Sequence, residues 1–313
     1  MTTAGDFRVV RVGRDGRGLA RDLEDDEPRT SPLVGALLHS PERSGRRAWA
    51  LTDARGELAA AVVVVRLAFD RWKGFVHLRD PGAARAVARL VDRTPAVAVM
   101  GAEDDVRPLV GLVPRERELL AGRWVVAPGP LGDVLGPPSE RTRLATQLDR
   151  DALVEFYARY EYVPVPTRWQ LRSHVRSMVE RHHVILCEDG RRIIGAFGVD
   201  AATRRYLVAG DLSVDPAHRR AGVAWELVRH FELLARALNV GASLVLAPSN
   251  PMTIDHPRVH WQRQHYCALP LYERVRFRGQ GRLRQTYRRI QPLTSRTPTL
   301  FVDPRDPGTE WRG

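Results

Sequence analysis

The sequence predicts an α/β protein of two domains in tandem. Three observations carry this: a length of 313 residues, a stretch rich in proline and glycine near the middle, and apolar runs of strand length alternating with helical patterns on both sides of it. A chain this long exceeds the usual single-domain size. The stretch VVAPGPLGDVLGPPSERT (125–142) reads as a linker. It places the boundary near residue 138, with a first domain at 1–138, a second at 139–292 and an extended tail at 293–313.

In the first half, AWALT and LAAAVVVVRL read as strands joined by the turn DARGE, followed by GFVHL, a helical AARAVARLVDR, a strand AVAVM and a helical DDVRPLVGLV. In the second, RLATQ reads as a strand and DRDALVEFYARY as a helix capped by Asp149; TRWQLRSHVRSMVERH is a helix capped by Thr167. HVILCED and RRIIGAFGVD form a hairpin around Asp189 and Gly190. Next come the strand YLVAGDLSV, a helix from about Ala221 to Leu238 and the buried strand SLVLA. ALPLYERV reads as a short helix, followed by arginine-rich strands through Ile290 and a proline-punctuated tail from Gln291.

The composition, 43% hydrophobic and 27% charged, fits a water-soluble globular chain. No apolar run approaches the roughly 18 residues of a membrane span, and MTTAGDFRVV lacks a signal peptide's apolar stretch, so a cytoplasmic location is expected. Cys187 and Cys267 have neither partners for a disulfide framework nor zinc spacing, and read as reduced thiols. The net charge of +12 draws anionic partners, from a phosphorylated cofactor to RNA. Only Lys73 among the 49 basic residues is lysine, a bias that fits a GC-rich genome better than recognition.

The stretch LSVDPAHRRAGVAWELV (212–228) carries the most chemistry. A strand breaks at Asp215-Pro216 into Arg219-Arg220-Ala221-Gly222-Val223-Ala224 and becomes a helix. Small residues let the backbone curl, and the helix start presents unpaired N–H groups to the turn, which makes an anion site suited to a pyrophosphate. Gly222 permits a conformation or approach that a side chain forbids, Ala224 keeps the helix start open, and Arg219 or Arg220 adds charge-assisted bonds.

These residues resemble the signature of the GNAT superfamily of acyl-CoA-dependent N-acyltransferases, Arg/Gln-x-x-Gly-x-Gly/Ala after a strand ending in Val-x-Pro. Val214-Asp215-Pro216, Arg219, Gly222 and Ala224 match it, and the element order from about Arg141 to Ile290 is that of the family. The resemblance implies a mixed-sheet GNAT fold in the second half and acetyl-CoA, or another acyl-CoA, as co-substrate. It also implies a strand bulge before the motif that frees the Val214 N–H to polarise the acyl carbonyl. HYCALPLYERVRF resembles a second family pattern: Ala268, Tyr272 and Phe277 fit, while His265 stands in place of Asn and Arg276 in place of Gly. By resemblance Tyr272 returns a proton to the departing thiolate; its bland alternative is a packing tyrosine. Asp211, on the strand before the motif, is the candidate base for the acceptor amine, or else a surface carboxylate. Asn250 is placed along the cofactor groove.

The first half has no matching anion turn: HLRDPGAARAV offers Arg79 and Gly82 but continues with Ala83 and Ala84. It reads as a degenerate, non-catalytic GNAT-like repeat, the alternative being an unrelated fold. His256, His260 and His265 are interrupted by Pro251 and Pro257 and lack supporting carboxylates, so no metal is expected. The long connection that carries them is expected to shape acceptor binding.

Three functions stay open at this point. The leading one is acyl transfer from CoA to an amine of a small molecule, by a monomer or homodimer. The second is an RNA-directed protein on the same scaffold, a tRNA binder or an aminoacyl-tRNA-dependent transferase. The arginines at 276, 278, 282, 284, 288 and 289 with Phe277 and Tyr287 speak for it, although such alternation also suits a solvated strand. The third is a silent acyl-CoA sensor.

Overall fold

The computed structural model describes residues 7–288 apart from 14–15, 28, 40–44, 67–71, 97, 110–111, 113–115, 128–138, 160–166, 181–183 and 249–277. Two compact units divide the chain. The first takes Met1–Gly122, Pro248–Asn250 and Gly281–Gly313; the second takes Arg123–Ala247 and Pro251–Gln280.

The first unit contains β1 (Arg8–Arg11), α1 (Arg17–Glu24), α2 (Ser31–His39), β2 (Arg47–Thr52), β3 (Leu58–Arg66), β4 (Trp72–Leu78), α3 (Ala84–Asp92), β5 (Ala98–Ala102) and α4 (Glu103–Val106). β6 (Glu116–Ala127) spans the division between the units. Strands run in the order β1-β2-β3-β4-β5 and then β12, the strand Arg278–Arg288. β4 and β5 are parallel; the other neighbours in this row are antiparallel.

β3 shows why its apolar run is continuous. Ala60, Val62 and Val64 pack under α3, while Ala61, Val63 and Val65 alternate to the face covered by α1 and α2. Both faces are covered, so neither set of side chains is polar. The elements before residue 47 were not read from the sequence: α1 hides Leu19, Ala20 and Leu23 among charged residues, and only its buried stripe marks it as a helix. DDVRPLVGLV, read as one helix, is instead the single turn α4 followed by a 3-10 turn, Arg107–Leu109. Pro108 cannot donate the N–H that a longer helix needs.

The second unit contains β7 (Thr142–Leu144), α5 (Arg150–Ala158), α6 (Arg168–Glu180), β8 (Val184–Asp189), β9 (Arg192–Ala202), β10 (Tyr206–Val214), α7 (Val223–Ala237) and β11 (Gly241–Pro248). Its strand order is β11-β10-β9-β8-β7. Because β10–β11 is parallel and the remaining pairs are antiparallel, the sheet is mixed, as expected. The β8–β9 hairpin turns at Gly190, whose φ of +60° suits glycine.

Asp149 does not cap α5 with its side chain. The cap stands one turn earlier, where Thr146 and Asp149 form a reciprocal capping box around the 3-10 turn Gln147–Asp149. Arg143 bonds both Asp149 oxygens at 2.7 and 2.8 Å and reaches Glu188 at 2.7 Å, which ties β7 to β8 and to the start of α5. That guanidinium holds the Asp149 carboxyl well below the usual range.

α7 covers the sheet with Val223, Leu227, Val228, Phe231 and Ala235, packed on Ile185, Phe197, Val199, Leu207 and Leu212. Glu232 shares the buried side of this helix, fully enclosed, and among the described residues neither carboxylate oxygen has a hydrogen-bond partner. Burial pushes its pKa up to about 8. The unfolded chain releases this proton near the ordinary value of about 4.3, so the folded state loses stability as pH rises from there towards 8, by an amount on the order of a few kcal/mol. We expect Glu232→Gln to flatten that decline. Thermal melts of both proteins at pH 5, 6.5 and 8 check it: the variant should gain on the wild type with each step, and parallel curves would contradict the assignment.

Candidate functional site

The candidate site forms where β10 gives way to α7. Asp215 ends the strand and caps the 3-10 turn Pro216–His218, its Oδ1 accepting the Ala217 N–H at 2.9 Å. Arg219 is extended, Arg220 takes φ +65° and Gly222, the N-cap of α7, takes φ +84°. The helix thus begins at Val223, two residues later than expected from the sequence. Glu226 N–H is the first to bond back into the turn, at Gly222 O, so the N–H groups of Val223, Ala224 and Trp225 precede the intrahelical ladder. A Cβ on Gly222 would meet nothing within 4 Å, so the turn opens onto free space. Backbone donors at the positive end of a helix dipole, beside exposed Arg220, form an anion cradle.

Arg219 braces this turn, its Nε donating to Val214 O at 3.3 Å. Asp215 is nearly buried and fixed by Arg192 at 2.7 Å. Burial opposes ionisation, but the Ala217 N–H, Arg192 and His218 together hold its carboxyl below the usual range. Glu226, in the first turn of α7, is gripped by both ends of the Arg141 guanidinium; burial again opposes ionisation and Arg141 again outweighs it. Each carboxylate beside the cradle therefore has an arginine to offset it. Neither pair was singled out from the sequence, because residues 23 and 85 positions apart carry no joint local signal.

The strand before the turn is irregular. Among the described residues β10 pairs with β11 from Tyr206 to Ala209, and its register against β9 slips between Val208 and Ala209 and between Ala209 and Leu212. Gly210 and Asp211 therefore form a bulge. Further along, the Asp215 N–H donates to Ile194 O on β9 at 2.8 Å, and Ser213 lies opposite Ala196. By alternation the Val214 N–H faces the other edge, the side on which pairing with β11 has ended.

The structure thus gathers Val214, Arg219, Arg220, Ala221, Gly222, Val223 and Ala224 around one turn. The backbone of Asp211 lies in the bulge of β10, its side chain outside the described residues. Asn250, Tyr272, the ALPLYERV segment and the histidines at 256, 260 and 265 also lie outside them. Cys187 is buried, and burial raises its thiol to about 11, which leaves it no thiolate chemistry near neutrality. Among the described residues no cluster of His, Cys, Asp or Glu is placed to hold a metal ion, and no helix is long and apolar enough to cross a membrane.

The first unit repeats the junction in altered form. Asp80 caps the 3-10 turn Pro81–Ala83 as Asp215 does its own, with Oδ1 accepting the Gly82 N–H at 2.7 Å. Here α3 starts at once, at Ala84, whereas residues 219–222 intervene before α7. The segment missing from the first unit is the one that forms the cradle. Its strands also stay together: a Cβ on Gly101 of β5 would lie 2.6 Å from Val76 O on β4. The Leu78 N–H at the end of β4 donates to buried Asp105 at 2.9 Å. Asp105 is further held by His77 and by both ends of the Arg29 guanidinium, and these outweigh burial to keep its carboxyl low. An internal carboxylate thus takes the backbone donor at the end of β4.

Residues 180–278 match the family model of the acetyltransferase (GNAT) domain. Among solved structures, the chain is similar to a GCN5-related N-acetyltransferase from Sphaerobacter thermophilus, at 17% identity and TM-score 0.56 over 92% of this chain and 97% of that one. It is also similar to a tandem GNAT protein from the clavulanic acid biosynthesis pathway, at 12% identity and TM-score 0.53 over 90% of this chain and 98% of that one. A third is a GCN5-related N-acetyltransferase-like protein from Streptococcus suis, with 10% identity, TM-score 0.52 and coverage of 88% and 100%. No curated protein matches the chain in sequence. The fold is the GNAT fold, and residues 180–278 match a GNAT acetyltransferase domain. That fold supports acyl transfer in general; the relatives named here give no support to an RNA-directed role.

Proposed function

We propose that the protein is an N-acyltransferase that moves an acetyl or related acyl group from acyl-CoA to an amine of a small molecule. The second half, 139–292, is the catalytic domain in this reading, and the first, 1–138, a silent relative of it. The observation that carries the reading is the pair of Asp-Pro junctions: one has the Arg219–Gly222 turn ahead of its helix, and the other lacks it.

In the proposed mechanism the pyrophosphate of acyl-CoA rests on the N–H groups of Val223 and Ala224, with Arg219 and Arg220 beside it. The acyl arm runs back along the open edge of β10. There the Val214 N–H polarises the thioester carbonyl, and because the donor is fixed in a strand it needs no reorganisation as the oxyanion forms. Tyr272 returns a proton to the leaving thiolate, Asn250 lines the groove, and a carboxylate at the β10 bulge, with Asp211 in the right stretch of chain, receives the proton of the acceptor amine. Calorimetric titration with acetyl-CoA tests the reading; micromolar, saturable binding supports it, and absence of binding by the folded chain removes it.

A further inference from the structure

We propose that the carboxylate at the β10 bulge that takes the proton of the acceptor's ammonium is Asp200 rather than Asp211, and hence that the acceptor presents a cationic primary amine. The inference rests on the acyl-transfer reading above. On β9 every residue from Ile193 to Ala201 is buried except Asp200, which is exposed. An exposed carboxylate on a strand buried on either side of it is unusual for packing alone.

Its position is equally specific. Asp200 falls where the β9–β10 register slips, between the pairs Ala201 with Val208 and Val199 with Ala209, one pair before the Gly210–Asp211 bulge, which lies opposite Gly198. A Cβ built on Gly210 would overlap Asp200 Oδ1 and lie 2.9 Å from its Cγ. The absence of a side chain at Gly210 is what admits the carboxylate. Ala209 and Val199 pack under α7, so alternation directs Gly210, and the carboxylate lying over it, to the opposite face of the sheet. Gly210 precedes Val214 by four residues, about 13 Å back along the strand at its usual rise. The carboxylate therefore lies over the bulge of β10, at the end of the strand away from the pyrophosphate turn.

The chemistry balances with two reactants, an acyl-CoA thioester and an ammonium. Asp200 accepts one N–H proton, and the freed lone pair forms the C–N bond at the thioester carbonyl carbon. The C–S bond then breaks with its electron pair on sulfur. The nitrogen's second proton replaces the one that Tyr272 gives to the thiolate, and Asp200 releases its own to water.

The test uses the full chain, acetyl-CoA and four primary amines, namely glucosamine, ethanolamine, putrescine and lysine methyl ester, with release of CoA thiol as the readout. Asp200→Asn should lower kcat/KM for the amine by about 10²-fold or more. The residual rate should climb with pH towards the amine's own pKa, because only free amine can then react, while acetyl-CoA affinity by calorimetry stays unchanged. Gly210→Ala, which displaces the carboxylate, should reproduce the loss and add little to it in the double variant. An unchanged rate and pH profile in Asp200→Asn, or the same losses appearing in Asp211→Asn instead, overturns the assignment and leaves acyl transfer standing. So does a wild-type chain that binds acetyl-CoA yet transfers to none of these amines. A folded wild-type chain that does not bind acetyl-CoA overturns both readings.

Discussion

A chain carrying Gly222→Val and Arg219→Glu is expected to lose acetyl-CoA binding altogether, a drop of at least 10²-fold by calorimetry. Gly222 sits at φ +84° as the N-cap of α7, a conformation that costs a branched residue on the order of 1–3 kcal/mol. The turn relieves that strain by moving, and the N–H groups of Val223 to Trp225 move with it. Arg219 anchors the same turn to Val214 O, so the glutamate removes the anchor and sets a negative charge where phosphate is proposed to bind. Far-UV dichroism and a melting temperature within a few degrees of wild type exclude unfolding as the cause. Unaltered affinity in a folded double variant would remove the cofactor argument.

Tyr272→Phe is expected to lower turnover by about 10²–10⁴-fold, the usual contribution of a positioned acid, while acetyl-CoA affinity stays within about twofold. Phenylalanine keeps the ring and its packing and removes only the hydroxyl proton. A tyrosine that serves packing would lose little turnover on this change, so a near wild-type rate would return Tyr272 to that role. The solvent isotope effect offers an independent readout, because it should change only if proton delivery to sulfur limits the step.

The second half was legible because its signals are local. Apolar runs of strand length marked β8, β9 and β10, the helical pattern marked α7, and Gly222 with its flanking arginines marked the turn to within two residues. The capping of α5 misled for a local reason too: Asp149 looks like an N-cap, and only Thr146 three residues earlier shows that a 3-10 turn comes first. What was not legible is set by pairing across the chain. The strand Arg278–Arg288 reads as a basic stretch open to an RNA interpretation, yet residues 283–287 pair antiparallel with β5 at 98–102. Asp200 is one carboxylate in an ordinary strand sequence until the register slip and Gly210 reveal the space made for it. The first junction was half legible: HLRDPGAARAV plainly lacks the turn, but the Asp105 carboxylate that takes the Leu78 N–H comes from a helix 27 residues beyond it.

That pairing also decides how the central claim is tested. A fragment ending at residue 138 would lack β12 and leave β5 without its antiparallel partner, so the two halves are compared within the whole chain. The measurement is the stoichiometry of radiolabelled acetyl-CoA bound to the intact protein by equilibrium dialysis, repeated with Gly222→Val and Arg219→Glu. The account predicts one molecule per chain, and none in the double variant. Two per chain, or one that survives the double substitution, would place a working site in the first unit and contradict it.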